Sequence, residues 1–127
     1  MTLLLVAVAG ALGAVARVVL DAAVTRRLAV RWPSGTAVIN VLGSLLLGAV
    51  TGLALRADVS EQVRLALGTG FCGAFTTFST ASLELVRLLE ERRGAAALAY
   101  AVGGLLAALG AAALGLALTG GLHPGAA

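Results

Sequence analysis

The stretch Gly70-Phe71-Cys72-Gly73-Ala74-Phe75-Thr76-Thr77-Phe78-Ser79-Thr80-Ala81-Ser82-Leu83-Glu84 decides how this chain is read. It lies inside an apolar region of membrane length, yet it carries two glycines, five hydroxyl residues and a carboxylate. All three phenylalanines of the protein, Phe71, Phe75 and Phe78, fall within it. In a bilayer, a polar or helix-breaking segment is tolerated only where protein or a water-filled path satisfies its backbone. Polar residues at such depth mark a functional site by default. The stretch therefore reads as the lining of an ion path.

The composition agrees with a membrane setting. The 127 residues allow a single domain, 60% of them are hydrophobic and only 12% are charged, about half the charge of an ordinary soluble domain. Glycine occurs 17 times, which suits helices that approach closely in lipid. The net charge of +3 comes from arginine, since the chain has no lysine. The arginines sit between apolar segments, as topology signals do, and not on a base-reading or phosphate-reading face, so nucleic acid is not an expected partner. The single Cys72 excludes an internal disulfide, and the single His123 leaves no metal-ligand cluster. No nucleophile–base pair exists, so an enzyme is not expected. The start, Met1-Thr2-Leu3-Leu4-Leu5, lacks the positive region of a signal peptide and reads as the beginning of a spanning helix.

A spanning helix needs roughly 20 apolar residues. Four segments qualify: about 3–20, 36–55, 63–89 and 95–118. Short loops join them, so the expected fold is an all-α membrane protein of four transmembrane helices in one domain, 1–127. Gly68, Gly70 and Gly73 each cost roughly 1 kcal/mol in a helix relative to alanine, which predicts a break in the third helix near 70–74. Unwound carbonyls at that depth suit a small cation. Gly48 and Gly52 form a small-residue pair that predicts a helix-packing face, with a partner subunit on it.

Single residues stand out against this background. Arg17 lies near the expected end of the first helix and reads either as an interfacial arginine or as a cation drawing anions into a vestibule. Asn40 is an amide inside an apolar helix, where it needs a hydrogen bond; it is either an inter-helix glue residue or a donor to a solute. Phe75 and Phe78 lie three apart and would share a helix face, with Ser79 and Ser82 continuing it. Their ring edges carry partial positive charge. Loops one and three hold Arg26, Arg27, Arg31, Arg87, Arg92 and Arg93, against Arg56 and Arg64 in and after loop two. That bias favours loops one and three in the cytoplasm.

The run Gly70-x-x-Gly73-x-Phe75-Thr76-Thr77-Phe78-Ser79-Thr80 resembles the third-helix signature of the Fluc or CrcB family of small fluoride channels. Gly13 and Arg17 are similar to its first-helix signature. Gly35, Thr36, Asn40 and Gly43 are similar to that of the second helix. The resemblance covers roughly half the chain. It implies an antiparallel, dual-topology type dimer in the prokaryotic plasma membrane, with two pores that pass fluoride out of the cell down its gradient. It implies that Asn40, Phe75, Phe78, Thr77, Ser79, Thr80 and Tyr100 line the fluoride path, with Arg17 in the vestibule. It further implies a structural Na⁺ at the dimer centre on the backbone carbonyls of about Gly70 and Gly73. The partner is either a second copy or an oppositely oriented homologue. Glu84 matches an acidic residue after the motif, and its role in an anion path is open. Family members commonly carry Ser or Thr on the fourth helix; none occurs here between Ala95 and Leu118.

Two other readings compete with it. A small proton-coupled multidrug exporter has the same size, but needs a membrane carboxylate in its first helix, where the only charge here is Arg17 and Asp21 lies beyond the expected end. A non-conducting assembly subunit explains the glycine faces but not the clustered Phe and Thr with Asn40.

Overall fold

A computed structural model of the chain describes residues 1–29, 32–56 and 59–120. Arg31, Asp58 and His123 lie outside the described residues. Among those described, the protein is all-helical. Three helices are long and apolar enough to cross a membrane: α1 (Thr2–Leu28), α2 (Ser34–Leu55) and α6 (Gly94–Leu118). Between α2 and α6 the chain forms α3 (Glu61–Arg64), a π-helical segment (Leu65–Cys72), α4 (Gly73–Phe75) and α5 (Phe78–Glu90). The protein is a membrane protein by this apolar surface. Along α1 and α6, large residues such as Leu3, Leu12, Val15, Leu105 and Leu106 point outward, an arrangement that hydrocarbon permits and water does not.

The helix α1 is longer than the sequence suggests. It runs past Arg17 and Asp21 to Leu28, where Ala29 closes it in the left-handed conformation with its N–H on the Thr25 carbonyl. Its 27 residues extend about 40 Å, so its last turns stand beyond a hydrocarbon core of about 30 Å. Charge there is compatible with helix, and Arg26 donates from Nε to the Ala22 carbonyl at 3.1 Å. Arg17 consequently sits in the interior of α1 and not near its end.

Glycine sets the helix spacing. A Cβ at Gly48 would collide with the Ala112 carbonyl of α6, one at Gly115 with the Leu45 carbonyl of α2, and one at Gly52 with Thr119. The Gly48–Gly52 face is thus occupied within the chain by α6, and not by a partner subunit as the sequence suggests. The third segment lies against α1 in the same manner. A Cβ at Gly13 would strike the Phe71 carbonyl, and one at Gly70 would lie 2.7 Å from the Val6 carbonyl.

Three glycines in this third segment do not break it. Gly68, Gly70 and Gly73 are helical, with a widened turn in which the Gly73 N–H reaches both the Gly68 and Gly70 carbonyls. At Gly70, close packing on α1 offsets the glycine penalty. The interruption lies later, at Thr76 (φ −75°, ψ 157°) and Thr77 (φ −148°, ψ 122°), both extended. The break expected near 70–74 is therefore at 76–77. Ser60 starts α3 by accepting the Val63 N–H at 3.3 Å, with Glu61 in the first turn where the helix dipole favours an acid.

The helix ends sort into two sets. Arg26, Arg27, Arg87, Arg92 and Arg93 lie at the end where α2 and α6 begin. Arg56 and Arg64 lie at the other end, where Arg56 Nη1 donates to the Thr119 carbonyl at 3.3 Å. At the arginine-rich end, Leu88, Ala97 and Tyr100 form a buried cluster covered by Trp32, Ala37, Ala81 and Leu85. Trp32 meets Tyr100 edge to face, with ring centroids 5.8 Å apart.

Gly48→Ala forces backbone against side chain between α2 and α6. It is expected to destabilise the fold by about 1–3 kcal/mol. Gly94→Ala, where nothing lies within 4 Å, is expected to leave stability nearly unchanged. Thermal unfolding of the two variants in one detergent compares them; equal midpoints contradict the packing described.

Candidate functional site

Two helical faces meet at the break. On α2, Thr36, Asn40 and Gly43 recur at spacings of four and three, which places them on one side of the helix. On the opposite wall, Thr77, Thr80 and Glu84 recur at spacings of three and four. The two rows run antiparallel and bond across the gap. Asn40 donates from Nδ2 to the Thr77 carbonyl at 3.0 Å and accepts the Thr77 N–H on Oδ1 at 2.8 Å. Thr36 donates to Glu84 Oε1 at 2.9 Å. Gly43 leaves room for the Thr76 methyl and the Phe75 ring, which a side chain there would strike.

Hydroxyls continue the column. Thr77 caps α5: its Oγ1 accepts the Thr80 N–H at 3.2 Å and donates to Thr80 Oγ1 at 3.2 Å. Tyr100 of α6 donates to Glu84 Oε2 at 2.7 Å. The Glu84 carboxylate therefore accepts one hydroxyl on each oxygen and ties α2, α5 and α6 together. Hydrogen bonds to an ionised acceptor are roughly twice as strong as neutral ones. Above it, a cavity of about 290 Å³ opens at the arginine-rich end, lined by Trp32, Pro33, Glu84, Arg87, Leu88, Glu91 and Arg93. Arg93 pairs with Glu91 there at 3.4 Å. A second cavity of about 670 Å³ lies between α2 and the π-helical segment, among Leu47, Val50, Thr51, Leu65, Gly68 and Thr69, with Glu61 and Arg64.

The structure brings Asn40, Thr77, Thr80, Tyr100 and Glu84 into one column. It separates the phenylalanines. Phe75 is buried (7% exposed) and stacks on Phe71 with centroids 5.5 Å apart, whereas Phe78 points outward and is 87% exposed. They do not share a face, because the extended Thr76 and Thr77 interrupt the helical rotation that would align residues three apart. Ser79 is exposed and stands off the column. Arg17 is half-buried, and its Nε is buried with no hydrogen-bond partner among the described residues. Gly70 is buried and its carbonyl takes the Gly73 N–H; Gly73 is exposed. Thr36 is the member of the column with no role assigned from sequence, although its position one turn before Asn40 on an apolar helix was the available signal.

The column is a row of hydrogen-bond donors through an apolar protein. Hydroxyl and amide donors in this setting replace water around an anion without placing a full counter-charge beside it. Among the described residues no group of three His, Cys, Asp or Glu forms a metal site.

Residues 4–116 match the family described as CrcB-like protein, Camphor Resistance (CrcB). The chain belongs to the CrcB family. A relative named fluoride-specific ion channel FluC 1, from Leifsonia xyli subsp. xyli, is 54% identical over 120 residues, covering 94% of this chain and 88% of the relative. A FluC 2 of Cutibacterium acnes is 51% identical over 123 residues, covering 93% and 97%. A more distant member, FluC of Nitrobacter winogradskyi, is 42% identical over 115 residues, covering 90% and 91%.

Tyr100→Phe leaves one Glu84 oxygen without its donor. It is expected to lower stability by about 1–3 kcal/mol and by clearly less in a Glu84→Gln background. Unfolding midpoints of the four proteins in this cycle measure the coupling; an equal loss in both backgrounds contradicts the bond.

Proposed function

We propose that the chain forms a fluoride-selective channel that lets F⁻ leave the cell passively through the plasma membrane. The carrying observation is the extensive identity to proteins named fluoride-specific ion channels, joined to a donor column at a helix break. As a member of a family of ion channels, the protein is not an enzyme. In this reading the third segment, from α3 through α5, is the fourth crossing of the membrane. Fluoride is small and strongly hydrated, so a path must supply donors at each point where water is lost. Asn40, through its second amide N–H, and Thr80 supply them, with Ser79 added from the outer face of α5. Thr36, Thr77 and Tyr100, which donate to Glu84 and Thr80 in this structure, would turn their hydroxyls to the ion as it passes. The positive edges of Phe75 and Phe78 hold the ion without a counter-charge that would trap it. Arg17, whose buried Nε has no hydrogen-bond partner among the described residues, raises anion concentration at the entrance.

The outward Phe78 supports a two-chain pore. A ring 87% exposed in mid-segment serves its own column poorly, but it reaches a neighbour's column when two chains pack antiparallel. Such a dimer has two pores. The arginine asymmetry between the two ends supports a fixed orientation of this chain, and with it an oppositely oriented homologue as partner in preference to a second copy.

A structural Na⁺ at the dimer centre would rest on backbone carbonyls. The fit is uneven. The Gly70 carbonyl already accepts the Gly73 N–H. The Gly73 carbonyl has lost its regular helical donor, because the Thr77 N–H is bonded to Asn40. Gly73 is thus the better candidate of the two. The ion would supply fixed positive charge between the protomers.

Fluoride efflux from liposomes containing the purified protein, followed with a fluoride electrode, tests the function. Rapid fluoride release without chloride release is expected, from this chain alone or with an oppositely oriented homologue. Phe75→Ile, Phe78→Ile and Asn40→Asp are each expected to abolish it while the dimer still assembles. Absence of release in both preparations, or undiminished flux in all three variants, contradicts the proposal.

A further inference from the structure

The helix ladder of the third segment is intact up to Thr76, whose N–H donates to the Cys72 carbonyl at 2.9 Å. In a continuous helix the next N–H, that of Thr77, would turn to the Gly73 carbonyl. It goes to Asn40 Oδ1 instead, and the Thr77 carbonyl accepts Asn40 Nδ2. This is the pair of bonds that a neighbouring strand gives an extended residue in an antiparallel ladder. One side chain therefore substitutes for a strand, at a part-buried site between two helices.

We propose that Asn40 is the positioning residue that holds the third segment broken at Thr76–Thr77, acting on permeation through backbone geometry and not chiefly as a ligand of the ion. The residue type follows from the task. The amide offers a donor and an acceptor side by side, whereas aspartate lacks the donor, an aliphatic residue lacks both, and glutamine sets them one methylene further out. Gly43, one turn on, makes the room in which Thr76 and Phe75 seat. Thr77, once held extended, caps α5 through the Thr80 N–H, so α5 begins with its own rotation.

Two consequences follow from that new start. Phe75 packs inward and Phe78 outward, where an unbroken helix would align them on one side. The Gly73 carbonyl loses its helical donor at the same step. Both features that the channel reading uses, the outward ring and the released carbonyl, depend on Asn40. The amide commits its carbonyl oxygen and one N–H to Thr77, which leaves a single N–H for any other partner. The clamp itself does not depend on which ion passes; its effect on flux rests on the fluoride reading.

Solid-state NMR of isotopically labelled protein in lipid bilayers tests it. In the unaltered protein, Thr76 and Thr77 are expected to show extended-backbone Cα and Cβ shifts, with a through-space correlation between the Asn40 side-chain amide and the Thr77 backbone. In Asn40→Ala both threonines are expected to move to helical shifts, with loss of fluoride flux. Absence of the correlation in the unaltered protein overturns the proposal, even if the variant does not fold. Retention of extended shifts in Asn40→Ala, with flux lost, also overturns it and makes Asn40 a direct ligand. Helical shifts with flux retained overturn its part in permeation. If the unaltered protein passes no fluoride, the channel reading fails while the shifts still decide the clamp.

Discussion

Every backbone group within hydrocarbon must find a partner inside the protein, and the rest of this structure depends on how that constraint is met at Thr77. A backbone N–H or carbonyl left unpaired in hydrocarbon costs several kcal/mol. The Asn40 amide meets both demands at 2.8 and 3.0 Å. With those bonds in place, a bend is tolerated inside a largely apolar helical segment. Around the bend the polar residues collect: Thr76 and Thr77 in the gap, Thr80 one turn into α5, and Glu84 one further turn on. The donor column is a by-product of satisfying a broken helix.

Glycine does the complementary work. In water, packing helices is driven by removing apolar surface, but in lipid that drive is absent and close contact must supply the attraction. Gly48, Gly52 and Gly115 bring α2 against α6, while Gly13 and Gly70 bring α1 against the π-helical segment. The first set fixes α2 relative to α6, and Gly43 of α2 admits Thr76 and Phe75, which together set where Thr36 and Asn40 face. The widened turns of Leu65–Cys72 belong to the same compromise. Without a side chain at Gly70, the backbone approaches α1 at Val6 and Ala9 and exchanges regular i to i−4 bonding for contact. Wide turns of this kind are rare and concentrate at functional sites.

Much of this was legible in the sequence, for identifiable reasons. Helices α2 and α6 are apolar throughout, and their ends fall within two residues of expectation because Pro33-Ser34 and Arg93-Gly94 punctuate them. The family resemblance pointed to Asn40, Thr77, Thr80 and Tyr100, which the structure brings into one column, and also to Ser79, which is exposed and stands off it. The break was misplaced because glycine is a poor helix former in isolation, while here neighbouring backbone compensates it. The true break has no local signal, for Thr76 and Thr77 tolerate helix; it is imposed from another helix by Asn40. The phenylalanines were misaligned for the same reason, as counting three residues along a helix fails across an extended pair. Glu84 was unexplained because its two donors come from α2 and α6, far away in sequence.

The carboxylate is the feature that separates a donor column from a simple anion sink. Glu84 accepts the Thr36 hydroxyl on one oxygen and the Tyr100 hydroxyl on the other, so in the proposed path these two donors are shared with the carboxyl group. The central claim is that this column conducts fluoride passively and in preference to other anions. The most direct measurement is the reversal potential of current through the assembled protein in a planar bilayer, with fluoride and chloride gradients set in opposite directions and pH equal on both sides. The expected reversal potential follows the fluoride gradient and ignores chloride. A potential that follows chloride, or a fluoride flux that carries no current and runs only with a proton gradient, would contradict it.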